Sequence, residues 1–400
     1  MSRARPLVMR IITRLAGGGP PIHATLLNRH LDSHGFDSVL VFGNCGPTER
    51  NMEYLIEKTD KVERIPALGA SPSPIHDLQA LVQLWRLIRR YRPDIVHTHT
   101  AKAGVLGRMA AVFAGCPCVV HTYHGHVLEG YFRPWVNAIV RNIERVLGRV
   151  STALCTVSRQ QAGELSERFA IAPEQKFRVV PLGLGLESYL KISPPNFHSE
   201  RLQIAWLGRF VPIKNLKLLR EIAELSQIRR LPIDFLIAGD GPEGADLAEE
   251  VRARNLANVR LLPWQDRVEP VLEESHLLIL TSHREGTPLA LIQGMAAGRP
   301  FVSTPAGGTV DLAVGVGRME SKSWWYDNAV LSTADAFAFV DVLERLLAQR
   351  PLLEKMSSVS REFARGVFSE TRLASDVAAL YTELLAAKSP IRQRVAEVNV

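Results

Sequence analysis

Glu285 sits in a stretch whose residue types and spacing suit polar recognition: Ser282-His-Arg-Glu285-Gly286-Thr287-Pro288-Leu289-Ala-Leu-Ile-Gln293. The apolar segment Leu277–Thr281 before it reads as a buried strand, and Pro288–Ala297 after it reads as a helix. Thr287 has the side chain of a helix N-cap, and Pro288 suits the first helical turn. Unpaired amides at such a start attract an anion, phosphate above all. A carboxylate at Glu285 can accept hydrogen bonds from several hydroxyls. Gln293 lies about 8 Å further along the helix axis, so a phosphorylated, hydroxyl-rich ligand can span both positions.

A second group suits the same ligand. Gly208-Arg209-Phe-Val-Pro212-Ile-Lys214-Asn215 follows the strand-like Leu202–Leu207. Arg can grip a diphosphate through two parallel bonds, and Lys adds a compact charge. Gly17-Gly18-Gly19-Pro20-Pro21 follows the first strand-like segment, where glycines let a ligand approach the backbone closely. The spacing is not G-x-G-x-x-G, and the second strand-like segment ends in Gly43-Asn44 without an acid for a ribose. A nicotinamide dinucleotide is therefore not expected, and no cofactor is assigned. Histidines gather in His97-Thr-His99-Thr100-Ala-Lys102 and in His121-Thr-Tyr123-His124-Gly125-His126. Such a set can hold a metal, but the acidic partners that orient metal-bound imidazoles are not evident, so no metal site is assigned.

These loops need strands to carry them. The first half alternates strand-like Leu7–Ile12, Ser38–Phe42, Asp94–Thr98 and Cys118–Thr122 with helix-like Ile22–His34 and Asp77–Tyr91. The second half restarts the pattern after the polar, proline-containing Lys191–Glu200: strands Leu202–Leu207, Ile233–Ala238, Val259–Leu262, Leu277–Thr281 and Pro300–Ser303 alternate with helices Leu216–Leu225, Ala245–Asn255 and Pro288–Ala297. Alternation of this kind predicts parallel sheets covered on both faces, with each loop at the carboxyl end of a strand. Trp135–Val150 reads as an amphipathic helix. Its basic face carries Arg141, Arg145 and Arg149, and its apolar stripe Val136, Ile139, Val140, Ile143 and Leu147. That stripe fits packing on a sheet; the basic face also fits contact with anionic lipid.

The bulk properties bound the answer. At 400 residues the chain is long enough for two domains, and its 46 % hydrophobic and 22 % charged residues are those of a globular protein. The net charge is +7, and residues 1–200 hold 24 Lys and Arg against 16 Asp and Glu, so the basic excess lies in the first half. An anionic partner is expected there, a membrane surface or a phosphate-bearing acceptor; no recognisable nucleic-acid module accompanies it. The four cysteines lack zinc-site spacing and read as reduced cytoplasmic thiols. Arg10 and Arg14 interrupt any signal sequence, and Met109–Val120 is broken by Pro117, so any membrane contact is expected to be peripheral.

Taken together, the motifs resemble the retaining family-four (group 1) glycosyltransferases of GT-B fold, over roughly Leu7 to Leu385 and most strongly over Ile204–Asp311. The resemblance implies an α/β protein with two Rossmann-like doubly wound domains facing across a cleft. These are an acceptor-side domain at 1–190, a nucleotide-sugar-binding domain at 200–365, and a helix at 366–387 returning to the first. Ser282–Gln293 is similar to the family's E-x7-E region, which implies that Glu285 is catalytic and holds the donor sugar with the backbone of Gly286, Thr287, Pro288 and Leu289. Gln293 stands in place of the second acid, which contacts ribose. Gly208–Lys214 is similar to the family's G-R-x4-K motif, so Arg209 and Lys214 would grip the diphosphate. Gly239, Gly307 and Gly308 match donor-pocket turns, and Gly18 and Gly19 match the amino-terminal glycine loop. Trp264 stands where relatives hold the nucleobase, though a packed turn residue fits equally. His124 matches a histidine near donor sugar and acceptor and is the second expected catalytic residue; His97, His99 and Lys102 fall on the acceptor side, and His121 fits a packing role. His276 replaces a usual Asp, and Asn328-Ala329 replaces Asn-Gly.

The activity implied is metal-independent, retaining transfer of a hexose or N-acetylhexosamine from a nucleotide sugar, UDP-linked by expectation. No D-x-D motif occurs to hold a diphosphate-bound metal. The acceptor expected is a sugar or lipid-linked sugar in bacterial surface polysaccharide synthesis, at the inner face of the plasma membrane. Two alternatives stay open: a sugar-nucleotide epimerase of the same fold, and a non-catalytic sugar-nucleotide-binding subunit, the latter motivated by Gln293.

Overall fold

The computed structural model describes residues 4–47, 49–125, 128 and 133–398. The chain divides into two compact units, Met1–Leu184 with Glu370–Val400, and Gly185–Ser369.

The first unit is built on seven strands: β1 (Leu7–Arg14), β2 (Asp37–Gly43), β3 (Val62–Arg64), β4 (Ile95–His99), β5 (Cys118–Tyr123), β6 (Ala153–Thr156) and β7 (Phe177–Val179). Their order is β3-β2-β1-β4-β5-β6-β7, and every pairing is parallel. Its helices are α1 (Gly19–His30), α2 (Pro74–Tyr91), α3 (Ala101–Phe113), α4 (Pro134–Val150) and α5 (Arg159–Gly163), with α13 (Glu370–Val398) arriving from the far end of the chain. Central parallel strands are covered on both faces and so need apolar residues at every position. β1 shows the pattern: Leu7, Met9 and Ile11 join Leu84, Ile88 and Leu106 on one side, while Val8 joins Leu27, Leu373, Val377 and Tyr381 on the other. Arg10 breaks the run. Fully buried, it donates to Ser38 Oγ at 3.0 Å and to Tyr381 Oη at 3.4 Å.

The second unit holds β8 (Leu202–Arg209), β9 (Ile233–Asp240), β10 (Val259–Leu262), β11 (Leu277–Leu280), β12 (Phe301–Ser303), β13 (Arg318–Glu320), β14 (Ser323–Trp325) and β15 (Ala329–Ser332). The order is β10-β9-β8-β11-β12-β15-β14-β13; six strands run parallel, and the β13–β14 hairpin closes one edge antiparallel. Around it lie α6 (Glu187–Leu190), α7 (Leu216–Ile228), α8 (Gly244–Ala253), α9 (Glu269–Glu274), α10 (Leu289–Ala296), α11 (Ala336–Ala348) and α12 (Arg350–Val367). Trp206, Phe235, Ile279 and Phe339 centre the core. His276, which departs from the usual Asp, and Asn328, the retained residue of the usual Asn-Gly, have structural roles here. His276 accepts the Gln203 amide at Nδ1 (3.0 Å), and buried Asn328 ties Leu312 O (2.9 Å) to the Val314 amide (2.7 Å).

Three expectations are corrected. The helix expected over Ile22–His34 starts at Gly19 and gives way to a 3-10 turn at Leu31–His34. The helix expected from Pro288 begins at Leu289 with Pro288 at the N-cap, and the Thr287 hydroxyl caps nothing: it is buried without a partner. α4 forms where expected, but of its predicted stripe only Leu147 is buried. It packs inward through Asn137, Glu144 and Gly148 instead.

Candidate active site

A ligand site in an open α/β sheet falls where the chain reverses strand order, outside the carboxyl ends of the two diverging strands. In the second unit that point lies between β8 and β11. The loops leaving these strands carry Arg209–Lys214 and Ser282–Thr287. Two hydrogen bonds tie the loops together: the His283 amide donates to Ile213 O at 2.8 Å, and the Thr281 hydroxyl Oγ1 donates to Lys214 O at 3.0 Å. Asn215, left-handed at φ 52°, ends the first loop and caps α7 by accepting the Leu218 amide.

These contacts bring the two motifs into one centre. Lys214 Nζ donates to Glu285 Oε1 at 2.5 Å, and Ser282 Oγ donates to the same oxygen at 2.6 Å. Glu285 Oε2 has no partner among the described residues and is the atom left to accept from a ligand. Beside it, the first two amides of α10, on Leu289 and Ala290, have no intrahelical acceptor, while those of Leu291 and Ile292 donate to Pro288 O. Gly307 and Gly308 press against this loop. A Cβ on Gly307 would stand 2.0 Å from Glu285 O, and one on Gly308 would stand 1.8 Å from Gly286 O. These glycines shape the loop by close packing, whatever else they contact. Gly239 is similar, since a Cβ there would meet Gly208 O at 2.1 Å.

Other residues spread around this centre. Arg209 is exposed at the end of β8, with no side-chain partner among the described residues. Gln293 lies on α10 and donates through Nε2 to Tyr189 Oη at 2.9 Å, which leaves its carbonyl oxygen to accept. Tyr189 was not singled out from sequence; it lies in the short α6, and no motif surrounds it. Trp264 is 41 % exposed after β10.

In the first unit the order reverses between β1 and β4. Here a histidine cluster forms from α1, the end of β4 and the turn after β5. His99 Nδ1 and His124 Nε2 lie 3.0 Å apart, and His23 joins them with its ring centroid 4.8 Å from that of His124. His97 is clamped between Tyr381 Oη (2.6 Å) and Thr122 Oγ1 (2.7 Å). Burial pushes His124 down to about 3 and holds His23, His97 and His99 well below the usual imidazole range, helped by the charges of Arg10 and of one another. The cluster is therefore neutral at pH 7. Both ring nitrogens of His23, His99 Nε2 and His124 Nδ1 are buried without a hydrogen-bond partner among the described residues. One nitrogen from each of His23, His99 and His124 lies within 4.8 Å of the others. His23 lacks the acceptor that normally orients a metal-bound imidazole, and neutral imidazoles equally serve hydroxyl groups, as donor or acceptor.

Sequence reasoning missed His23. Its signal was a histidine in the first turn of the helix that follows the glycine loop, at the end of β1 and beside β4. Two expected residues behave differently. His97 is enclosed, and Lys102 is spent on Asp77 Oδ1 and Ser71 O, both at 2.5 Å. Gly18 takes φ 137°, a conformation that favours glycine. Pro20 and Pro21 carry no N–H, so the α1 start offers few amides to a phosphate. His126 lies outside the described residues.

Two parallel, doubly wound sheets with this loop chemistry define a glycosyltransferase of GT-B type. Residues 18–183 match the model of the Glycosyl transferase 4-like domain, and residues 201–349 match that of Glycosyl transferases group 1. The chain belongs to the group 1 glycosyltransferases. It is 27 % identical over 370 residues to the UDP-Gal:alpha-D-GlcNAc-diphosphoundecaprenol alpha-1,3-galactosyltransferase of Escherichia coli, covering 90 % of this chain and 92 % of that one. It is 23 % identical to the MMP alpha-(1->4)-mannosyltransferase of Mycolicibacterium hassiacum, covering 92 % and 95 %. Sucrose-phosphate synthase from Thermosynechococcus elongatus superposes with a TM-score of 0.77 at 18 % identity, covering 96 % of this chain and 100 % of that one. HepE from Anabaena in complex with UDP does so with 0.74 at 18 % identity, covering 94 % and 99 %.

Proposed function

We propose that this glycosyltransferase moves a hexose or N-acetylhexosamine from a UDP-sugar to a lipid-linked acceptor, with retention at the anomeric carbon, in bacterial surface polysaccharide synthesis. The observation that carries the reading is the Lys214–Glu285 contact at the β8–β11 reversal, with Glu285 Oε2 and the Leu289 and Ala290 amides left without a partner among the described residues. In this reading Glu285 Oε2 accepts from hydroxyls of the donor sugar. The α10 amides, Lys214 and Arg209 take the charge that grows on the diphosphate as the C1–O bond breaks. The acceptor hydroxyl forms its C1–O bond on the same face and passes its proton to a leaving phosphate oxygen. Gln293 holds the ribose through its free carbonyl oxygen. His124, neutral and with Nδ1 unpaired, orients the acceptor hydroxyl by hydrogen bonding; burial makes it a weak base. The α10 amides and the two cations serve the diphosphate without a metal.

The donor class is supported by the UDP-Gal named for the Escherichia coli relative and the UDP bound by HepE. The acceptor class is supported by the diphosphoundecaprenol of the former. Among the described residues no helix is long and apolar enough to cross a membrane. Such an acceptor places the enzyme at the cytoplasmic face of the membrane, in peripheral contact.

A screen of nucleotide sugars by thermal shift and slow donor hydrolysis, with EDTA present, tests the proposal. One UDP-sugar should stabilise the protein and be turned over. Turnover that stops with EDTA and returns with a divalent ion would overturn metal independence and turn attention to His23, His99 and His124. Conversion of the donor sugar without any acceptor would favour the epimerase. Binding without turnover, even with lipid extract, would favour the non-catalytic subunit.

A further inference from the structure

α4 carries apolar residues on both its faces. Helices at a protein surface turn their apolar stripe to the core. The buried face of α4 carries Leu147 and Gly148, with Val140 packed partly buried beside them, but it also contains Asn137 and Glu144. Glu144 accepts from Arg108 at 2.8 Å through both oxygens and from Tyr123 Oη at 2.6 Å. The residues left outside are Trp135 (62 % exposed), Ile139 (49 %), Ile143 (41 %), Val146 (56 %) and Val150 (45 %). At 100° per residue these five fall within an arc of about 80°, running the full length of the helix. On one side Arg149 lies about 40° from the edge of the arc and Arg145 about 80°, while Arg141, about 120° away, is turned toward the opposite face. Arg141, Arg145 and Arg168 line a cavity of about 270 Å³ with Ala138, Asn142 and Phe169. Arg145 braces its floor by donating to Phe169 O at 3.1 and 3.0 Å. The Arg141 and Arg149 guanidinium groups have no partner among the described residues. The only acid of α4, Glu144, is turned inward.

We propose that this face of α4 docks on an anionic bilayer, with the apolar arc lying in the interface and Arg149 and Arg145 along its edge meeting lipid phosphates. A bilayer offers both complements at once, acyl chains for the arc and negative headgroups for the arginines. Trp135, at one end, has the side chain favoured at the headgroup level. A second copy of the chain is the poorer fit, because a two-fold contact through so narrow a strip would bring two arginine rows together. The surface gives a structural basis to the membrane contact proposed above, but its test does not depend on sugar transfer.

The test is flotation of the purified protein with phosphatidylcholine vesicles and with vesicles containing 30 % phosphatidylglycerol. The unmodified protein should float with the anionic vesicles and far less with the neutral ones. Ile139→Glu with Ile143→Glu, and separately Arg145→Glu with Arg149→Glu, should each lower the bound fraction at least tenfold. These side chains are outside the core, so unfolding temperature and any donor-induced thermal shift should stay as they were; if the donor shift is absent throughout, the donor reading fails while the flotation result stands. The proposal is overturned if the unmodified protein does not float, or if both double variants float as it does. It is also overturned if light scattering without lipid shows a dimer that the isoleucine variant converts to monomer.

Discussion

Lys214 Nζ and Glu285 Oε1, 71 residues apart in sequence, meet at 2.5 Å where the second sheet reverses its strand order. Neither residue belongs to regular strand or α-helix. Each is delivered by a loop at the carboxyl end of a central parallel strand, and the His283 amide and Thr281 hydroxyl bonds keep the loops in step. The pair leaves one carboxylate oxygen to a ligand and sets a cation beside it.

Replacing Lys214 by Ala removes a charge placed for a diphosphate. Donor affinity measured by calorimetry should fall at least tenfold, and its dependence on salt should weaken. Unfolding temperature should change little, because the ion pair is partly open to water. Unchanged donor affinity would remove Lys214 from the site.

Gln293 should affect donor binding more than the chemical step. Gln293→Leu loses the acceptor offered to ribose and the bond to Tyr189. An increase in KM of roughly tenfold, with kcat changed much less, is expected for one lost hydrogen bond. Gln293→Glu keeps an acceptor there and should bind donor within a few-fold of the parent. A collapse of kcat in the leucine variant with KM unchanged would show that the residue acts elsewhere.

The histidine cluster predicts acid sensitivity. His23, His97, His99 and His124 are held neutral by burial, whereas in the unfolded chain they titrate near 6.5. Below that value the unfolded chain binds more protons than the folded one, so stability rises with pH there. It should be fully present above about pH 6.5 and fall toward the lower folded values, by up to about 1.4 kcal/mol per pH unit for each histidine. Urea midpoints between pH 7.5 and 5 check this, and His23→Leu should flatten the slope. Parallel curves for the two proteins would contradict it.

The Arg108–Glu144 pair has almost no access to water, with side chains 0 % and 6 % exposed. Glu144→Ala strands a buried guanidinium and should cost about 3–5 kcal/mol in denaturant unfolding. A loss below about 1 kcal/mol would show that water reaches the site.

Much of this was legible in the sequence, for reasons that differ by element. β1, β8, β9 and β11 were readable because central parallel strands are apolar runs ending in polar loops. Glu285, Arg209 and Lys214 were readable from their place at those ends. α3 was not found: its Ala- and Gly-rich sequence is apolar nearly all round, so no helical period stands out. β3 and β7 are only three residues long, with too few positions to alternate. Thr287 was misread because N-cap chemistry was read locally, whereas the chain holds Pro288 at the cap. α4 was misread because the core contact of Glu144 depends on Arg108 and Tyr123, on other elements, which no periodicity of α4 can show. His23 escaped because its partners come from β4 and the turn after β5.

Nucleoside diphosphate release from the stabilising UDP-sugar, compared between the parent protein and Glu285→Gln, tests the central claim most directly. The account predicts that kcat/KM falls at least about 100-fold in the variant, while cooperative unfolding and the donor-induced thermal shift persist. Turnover in the variant close to that of the parent would contradict it, and the Lys214–Glu285 centre would not be where the sugar is transferred.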